Sequence, residues 1–209
     1  MSTTAPIVIF GGTFDPPTRA HAELPPQAAA LIGASKLLYV PAAISPHKID
    51  EPPTDPAHRL AMLRLVVDGI EGAELCDIEL HRDGPSYSID TIRQLREDID
   101  DDVPLRLLIG DDQAVTFHSW RDWADLIELA VPLVLPRHWS DASEFADALR
   151  TKGQWPEVDV ERWLQWRLDL PCMDTCSTEA RRMIFEHRDA RDVLVPDVDD
   201  YIKTNELYR

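Results

Sequence analysis

The sequence predicts a single α/β domain, spanning residues 1–209, with a Rossmann-like, doubly wound parallel sheet. Short apolar runs alternate with helical patterns along the 209 residues, as in repeated βαβ units. A Gly-rich turn directly follows the first apolar run, where the loops of such sheets bind ligands. The length suits one domain of ordinary size, and no internal repeat or low-complexity linker divides the chain.

Each element is predicted from apolar periodicity and from its flanking residues. Strands are expected over residues 7–10, 37–40, 74–80, 105–109 and 132–135. Helices are expected over about 19–32, 57–67, 89–96, 178–187 and 197–205, with short helices between 110 and 129 and a further helix ending at 149. Pro25 and Pro26 must lie in the first turns of their helix or kink it, because proline lacks an N–H donor. Ser88 and Ser140 are expected as N-caps, and the Trp-rich segment 153–170 is left unassigned.

Composition narrows the function classes. The formal net charge of −17 argues against a nucleic-acid partner, which requires a basic face, but a small polyanion can still bind to local cations and backbone N–H groups. No apolar run approaches the ~18 residues of a membrane span, and no signal peptide is recognisable, so we expect a cytoplasmic protein without a membrane partner. Cys172 and Cys176 have no further ligand pair, and a metal site is not predicted.

The segment after the first strand carries the strongest chemical signal. Gly11 and Gly12 allow the backbone to approach a ligand closely. The following helix start presents free N–H groups to an anion, and Thr18 and His21 share one face of its first turn. Neither a Walker A loop nor a Gly-x-Gly-x-x-Gly fingerprint is present. Taken alone, the segment could equally be a tight turn followed by a capped or core histidine.

Further motifs make the chain resemble a known family. Gly11–Pro16 followed by Thr18-Arg19-Ala20-His21 resembles the opening and the (His/Thr)-x-Gly-His signature of the nicotinate-nucleotide adenylyltransferases, within the nucleotidyltransferase superfamily. Other similar segments follow in the family's order: 40–48, 59–63, 79–91, 108–112 with Trp120, and 177–181. The chain departs from the signature at Thr18, which replaces a histidine, and at Ala20, which replaces its glycine.

The resemblance implies a nucleotidyltransferase-type fold and a set of site residues. His21, Thr18 and Arg181 would be catalytic. ATP would bind to Gly11, Gly12, Thr13, Phe14, Lys48, Gly110, Asp112, Ser177 and Thr178. The acceptor nucleotide would bind to Ser86, Tyr87, Ser88, Thr91 and Trp120. Mg²⁺ would accompany ATP and bridge its phosphates, without a protein metal site.

The resemblance implies adenylyl transfer from ATP to nicotinate mononucleotide in NAD biosynthesis, with release of pyrophosphate. Two alternatives remain at this stage. The chain could be another small-molecule adenylyl- or cytidylyltransferase, including one that uses nicotinamide mononucleotide. Alternatively, the departures at Thr18 and Ala20 could mark a catalytically degenerate nucleotide-binding regulator. The sequence leaves the oligomeric state open, a homo-oligomer included.

Overall fold

A five-stranded parallel sheet forms the centre of the protein. The computed structural model describes residues 4–46 and 53–209. The strands are β1 (Ile7–Gly12), β2 (Lys36–Pro41), β3 (Ala73–Leu75), β4 (Leu105–Gly110) and β5 (Val131–Leu135), in the spatial order β3-β2-β1-β4-β5. β1 pairs in parallel with both β2 and β4. The chain therefore winds outward on one side of β1 and then on the other, which opens a crevice at the carboxyl ends of β1 and β4.

Helices cover both faces of the sheet. They are α1 (Arg19–Leu31), α2 (Pro56–Val67), α3 (Ser88–Asp98), α4 (Asp111–Val115), α5 (Trp123–Leu129), α6 (Ala142–Thr151), α7 (Glu157–Trp166), α8 (Ser177–Phe185) and α9 (Pro196–Thr204). Short 3₁₀ helices span Ile78–His81 and Phe117–Ser119. This arrangement confirms the predicted Rossmann-like α/β fold.

Alternate strand residues enter different core layers. Ile9 and Leu107 pack in the layer that contains α3 and α5–α7, whereas Val8 and Phe10 pack in the layer that contains α1 and α2. A third apolar cluster joins α2, α8 and α9. Since the central strands are covered on both faces, their sequences are almost continuously apolar rather than alternating.

One predicted strand is wrong over most of its length. β3 ends at Leu75, and Ile78–His81 forms a 3₁₀ helix instead of continuing it. The backbone N–H of Cys76 still donates to the Tyr39 carbonyl at 2.9 Å. Beyond that point the Leu80 N–H turns back to the Asp77 carbonyl, also at 2.9 Å. A short pattern of apolar and polar residues alone does not distinguish a strand from such a turn.

The two predicted serine caps also require correction. α3 begins at Ser88 itself, and Tyr87 occupies the N-cap position without a side-chain cap bond. At α6 the cap is Asp141 rather than Ser140, because the Asp141 carboxylate accepts the N–H of Ser143 at 2.6 Å.

The two prolines of α1 lie beyond its first turn, in the helix interior. Pro25 has no N–H for the carbonyl of His21, four residues earlier, and such a gap normally costs stability. The hydroxyl of fully buried Tyr39 donates to that carbonyl instead, at 2.8 Å. A side chain of β2 thus replaces the missing helix bond and ties the backbone of His21 to the sheet.

The unassigned Trp-rich segment contains α7 and closes one end of the core. Trp163 is buried, and the indole N–H of Trp155 donates to the carbonyls of Ala114 and Val115 at 3.2 and 3.1 Å. These bonds attach the α6–α7 connection to the end of α4, so the tryptophans serve packing.

Replacing Tyr39 with phenylalanine should lower the free energy of unfolding by about 1–3 kcal/mol, because the His21 carbonyl loses its donor. In a Pro25→Ala background, residue 25 regains an N–H that can bond this carbonyl. The same Tyr39→Phe change should then cost less. Urea denaturation of the four chains measures the difference; equal losses in both backgrounds would contradict this account.

Candidate active site

A cavity of about 790 Å³ opens at the carboxyl edge of the sheet. Its walls come from the ends of β1, β2, β4 and β5, the starts of α1 and α8, and the turn before α3. Most residues predicted for the site line it: Gly11, Gly12, Thr13, Phe14, His21, Ser86, Tyr87, Ser88, Gly110, Asp112, Trp120, Ser177, Thr178 and Arg181. Lys48 lies outside the described residues. Thr18 and Thr91 do not line the cavity.

His21 is held with a defined tautomer. The backbone N–H of Thr18 donates to Nδ1 of His21 at 2.8 Å. Because an amide nitrogen can only donate, Nδ1 must be the acceptor, and the ring proton lies on Nε2. Burial, together with the positive charge of Arg137, lowers the pKa of His21 to about 3. His21 is therefore a neutral N–H donor at the cavity wall rather than a cation.

The expected role of Thr18 is corrected by its position. Its side chain is fully buried, and its hydroxyl lies 3.0 Å from Nδ1 of His21 and 3.5 Å from the hydroxyl of Thr175. The hydroxyl thus cannot face a phosphate in the cavity, and Thr18 instead supports the His21 ring. The neighbouring departure, Ala20, is 5% exposed and packs in the α1 core layer, where its methyl group is accommodated.

A buried carboxylate shapes the loop after β5. Asp111 is fully buried, and its carboxylate accepts the backbone N–H groups of Asp112, Arg137, His138 and Trp139 at 2.9 to 3.1 Å. Four donors compensate the buried charge. The loop is thereby wrapped around the end of β4, which brings Arg137 to the cavity wall.

Glycine at the end of β4 leaves room for two side chains to pack closely. A Cβ atom at Gly110 would overlap the Asp112 carboxylate and lie 2.8 Å from Cδ of Arg137. Oδ1 of Asp112 is buried with no hydrogen-bond partner among the described residues, and its nearest cation, Nη1 of Arg137, is 3.9 Å away. An unpaired acceptor of this kind at a cavity wall is suited to a ligand hydroxyl.

The start of α8 is bonded to the loop after β1. Nη1 of Arg181 donates to the Asp15 carbonyl at 2.6 Å, and the hydroxyl of Ser177 donates to the Pro16 carbonyl at 2.8 Å. These bonds bring Arg181 beside the Gly-rich turn although the two are far apart in sequence. The Ser177 hydroxyl uses its proton within the protein, so it offers a ligand only acceptor capacity.

On the opposite side of the cavity, a turn is locked by a polar cluster. The Ser86 hydroxyl accepts the Ala43 N–H at 2.9 Å, and the Thr91 hydroxyl donates to Glu79 at 2.6 Å. Arg82 donates to the same Thr91 oxygen at 2.7 Å. Thr91 is 2% exposed, so its predicted contact with the acceptor is corrected to an internal one. Glu79, which was not predicted, lines the cavity.

Aromatic side chains line this same side. Trp120 lies against Phe117 with ring centroids 4.7 Å apart, and it contributes to the cavity wall. The guanidinium of Arg121 lies 4.9 Å from the centre of the Tyr87 ring and 3.5 Å from Asp90. Arg121 and Arg137 both line the cavity, yet sequence analysis missed them. The position of Arg137 just beyond a strand end was the one available signal.

A magnesium ion does not fit the acidic residues of this site. Potential ligand atoms of Asp111, Asp112 and His138 lie within 4.8 Å of one another. However, the Asp111 carboxylate already accepts four N–H groups, and Arg137 adds a positive charge beside Asp112.

Among the described residues, no helix is long and apolar enough to cross a membrane.

Comparisons with known proteins agree on one group. Residues 9–183 match the cytidylyltransferase-like family. A probable nicotinate-nucleotide adenylyltransferase of Marinobacter nauticus is 34% identical, over 96% of this chain and 95% of its own length. A protein of the same name from Serratia proteamaculans is 30% identical, over 99% and 97%. The nicotinic acid mononucleotide adenylyltransferase of Plasmodium falciparum, solved in complex with NaAD, superposes with a TM-score of 0.72 at 20% identity, over 98% and 97% of the two chains.

The pKa of His21 predicts a pH-dependent stability. The folded chain takes up this proton only near pH 3, whereas the unfolded chain takes it up near the ordinary value of 6.5. As pH falls below 6.5 the unfolded state therefore binds more protons, and the free energy of unfolding decreases. Between about pH 7 and pH 5, the loss should be ~1–2 kcal/mol larger than in His21→Asn, which cannot titrate. Denaturant titrations of both chains measure these free energies. An equal pH dependence in the wild-type and His21→Asn chains would contradict a His21 that stays neutral in the folded state.

Proposed function

This chain belongs to the family of nicotinate-nucleotide adenylyltransferases, and we propose that its cavity transfers the AMP part of ATP to nicotinate mononucleotide. The observation that carries the proposal is the convergence of three donors from separate elements. His21, Arg137 and Arg181 all line the crevice at the carboxyl ends of β1 and β4. The products would be nicotinate adenine dinucleotide, an intermediate of NAD biosynthesis, and pyrophosphate.

The reaction requires the protein to position the two substrates and to neutralise the charge of the phosphates. A phosphate oxygen of the acceptor forms a bond to the α-phosphorus of ATP, while the bond from that phosphorus to the α,β-bridging oxygen breaks. Pyrophosphate leaves with the electron pair. No protein nucleophile is required, which suits a cavity whose polar groups are mainly donors.

The donors divide along the triphosphate. Gly11 and Gly12 allow the backbone to approach the nucleotide. The Nε2–H group of His21 would donate a hydrogen bond to oxygens of the α- and β-phosphates. Arg181 and Arg137 would hold the departing pyrophosphate. The unpaired Oδ1 of Asp112 would accept a ribose hydroxyl. Because His21 is neutral, the two arginines would supply the positive charge on the protein side.

The acceptor would bind between Trp120 and the turn before α3. The N–H of Tyr87 donates to the Pro85 carbonyl at 3.0 Å and is therefore not available to a ligand. The N–H groups of Ser88 and Ile89 have no acceptor within residues 4–46 and 53–209. Together with the Arg121 guanidinium, these donors favour a carboxylate over an amide on the pyridine ring.

Magnesium would arrive bound to the triphosphate. In that position it would neutralise phosphate charge, as is usual for ATP-dependent transfer. The Asp111 carboxylate is committed to backbone N–H groups, and Asp112 lies beside the positive charge of Arg137, so we assign no protein ligand to the ion.

The first test is transfer itself. With ATP and magnesium, the purified chain should release pyrophosphate only when a mononucleotide acceptor is added. The regulator alternative, which Thr18 and Ala20 motivated, predicts ATP binding without turnover for every acceptor. The buried, supporting position of Thr18 and the accommodated methyl of Ala20 favour turnover.

Acceptor choice is the second measurement. An amide in place of the carboxylate would turn an N–H₂ group toward donors and lose a charge-assisted bond, which costs ~1–3 kcal/mol for each unpaired group. The ratio of kcat/KM for nicotinate over nicotinamide mononucleotide should therefore be ~10–10³ at one salt concentration. Arg121→Met should reduce this ratio. Equal values for the two acceptors would refute the nicotinate assignment and leave adenylyl transfer intact.

Replacing His21 should slow the chemical step more than it weakens binding. His21→Ala removes a donor aimed at charge that grows during transfer, so kcat should fall by ~10²–10³ while ATP affinity changes little. Thr18→Val is the matched control, because it removes a hydroxyl beside the same ring but leaves the backbone donor to Nδ1. It should cost less than ~10-fold. A His21→Ala enzyme with near-normal kcat would remove His21 from the mechanism.

A further inference from the structure

We propose that Tyr208 is a positioning residue for the ATP side of the cavity, acting through Asp15 on Arg181. The inference rests on the proposed function, since it assigns Arg181 to the phosphates. Tyr208 follows α9 and does not line the cavity among the described residues. It nevertheless donates its hydroxyl proton to Oδ1 of Asp15 at 2.6 Å, across 193 positions of sequence.

Asp15 is the point at which three separate segments meet. Its side chain is 6% exposed, and it lines the cavity. Oδ1 accepts from Tyr208, and Oδ2 accepts the Thr54 N–H from the segment before α2, at 3.2 Å. A buried carboxylate needs such donors to remain charged. Among the described residues, Tyr208 supplies the one side-chain donor to the Asp15 carboxylate.

The carboxylate also lies near a buried cation. Arg59 is 1% exposed, and its guanidinium donates to the carbonyls of Thr13, Ala42 and Thr54 at 2.7 to 2.9 Å. These carbonyls belong to the loops that border the cavity. Burial lowers the pKa of Arg59, and the negative charge of Asp15 opposes that shift. A shift of Asp15 would therefore change the electrostatic surroundings of the guanidinium that holds these three carbonyls.

The backbone of Asp15 connects its bonded side chain to Arg181 in the site. Its carbonyl accepts Nη1 of Arg181 at 2.6 Å, and the adjacent Pro16 carbonyl accepts the Ser177 hydroxyl at 2.8 Å. One residue thus holds the Tyr208 hydroxyl by its side chain and the Arg181 guanidinium by its backbone. A shift of Asp15 would move Arg181 relative to the phosphates.

Tyr208 itself adopts a conformation that requires support. Its φ of +62° is in the left-handed region, which is uncommon for a large side chain. The N–H of Leu207 donates to the Ile202 carbonyl at 3.1 Å and helps fold the chain back toward the cavity. The segment after α9 is therefore built to present this hydroxyl to Asp15.

The test is Tyr208→Phe, which removes only the hydroxyl, with Tyr201→Phe as the matched control. The Tyr201 hydroxyl also bonds within the fold, to Nδ1 of His58 at 2.9 Å, and it does not line the cavity among the described residues. Tyr208→Phe should raise KM for ATP about 5–10-fold and leave KM for the acceptor within about 2-fold. Tyr201→Phe should leave both constants within about 2-fold, even where it lowers the melting temperature equally.

A second background separates positioning from general destabilisation. If Tyr208 acts through Arg181, then Tyr208→Phe should change KM for ATP by less than about 2-fold in an Arg181→Met enzyme. An unchanged KM in the wild-type background would overturn the proposal. The proposal would also be overturned if Tyr208→Phe raised KM for ATP equally in both backgrounds, or if it raised KM equally for ATP and for the acceptor.

Failure of the proposed function gives a different pattern. A wild-type chain that binds ATP but transfers nothing refutes adenylyl transfer. Dissociation constants for ATP, measured by calorimetry on the same set of chains, then decide the role of Tyr208 with the same expected ratios. A wild-type chain that binds no ATP overturns both proposals.

Discussion

The parallel pairing of β1 with two neighbours is the constraint on which the site depends. Since β2 and β4 both run parallel to β1, their carboxyl ends lie at one edge. The connections after β1 and β4 leave toward opposite sides, so neither covers the space between them. The glycine turn, Gly110 and Asp112 reach this space from strand ends, and the first turn of α1 brings His21. The positions of all these groups follow from backbone pairing rather than from contacts among themselves.

The negative net charge of the protein is a second constraint on a site for anionic nucleotides. A protein with a formal charge of −17 repels anionic nucleotides at long range. Three carboxylates at or behind the cavity wall are instead bonded internally: Asp15 to Tyr208 and Thr54, Asp111 to four amides, and Glu79 to Thr91. The side-chain donors that remain available to an anionic ligand are chiefly those of Arg137, Arg181, Arg121 and the neutral His21. Local donors can therefore outweigh the net charge, because their interactions act at short range and in partly buried surroundings.

Sequence patterns anticipated the elements better than the contacts between them. The apolar runs of β1, β2, β4 and β5 have a single interpretation, since each is bounded by turn residues or helical periodicity. The 74–80 segment has two interpretations, because the 3₁₀ helix that begins at Ile78 leaves no mark in the hydrophobic pattern. Motif position predicts ligand contacts for Thr18 and Thr91. Both are buried, and burial depends on what packs over a residue rather than on its own type.

By itself, the sequence determined the fold class, the Gly-rich turn at the end of the first strand, and the order of motifs that belongs to one family. These features are local or periodic, so neighbouring residues carry the whole signal. Only the tertiary structure decided which nitrogen of His21 bears the proton, which arginines reach the cavity, and that Tyr208 supports a loop 193 positions away. Such contacts arise when distant segments fold together, and no spacing along the chain encodes which side chains will then meet.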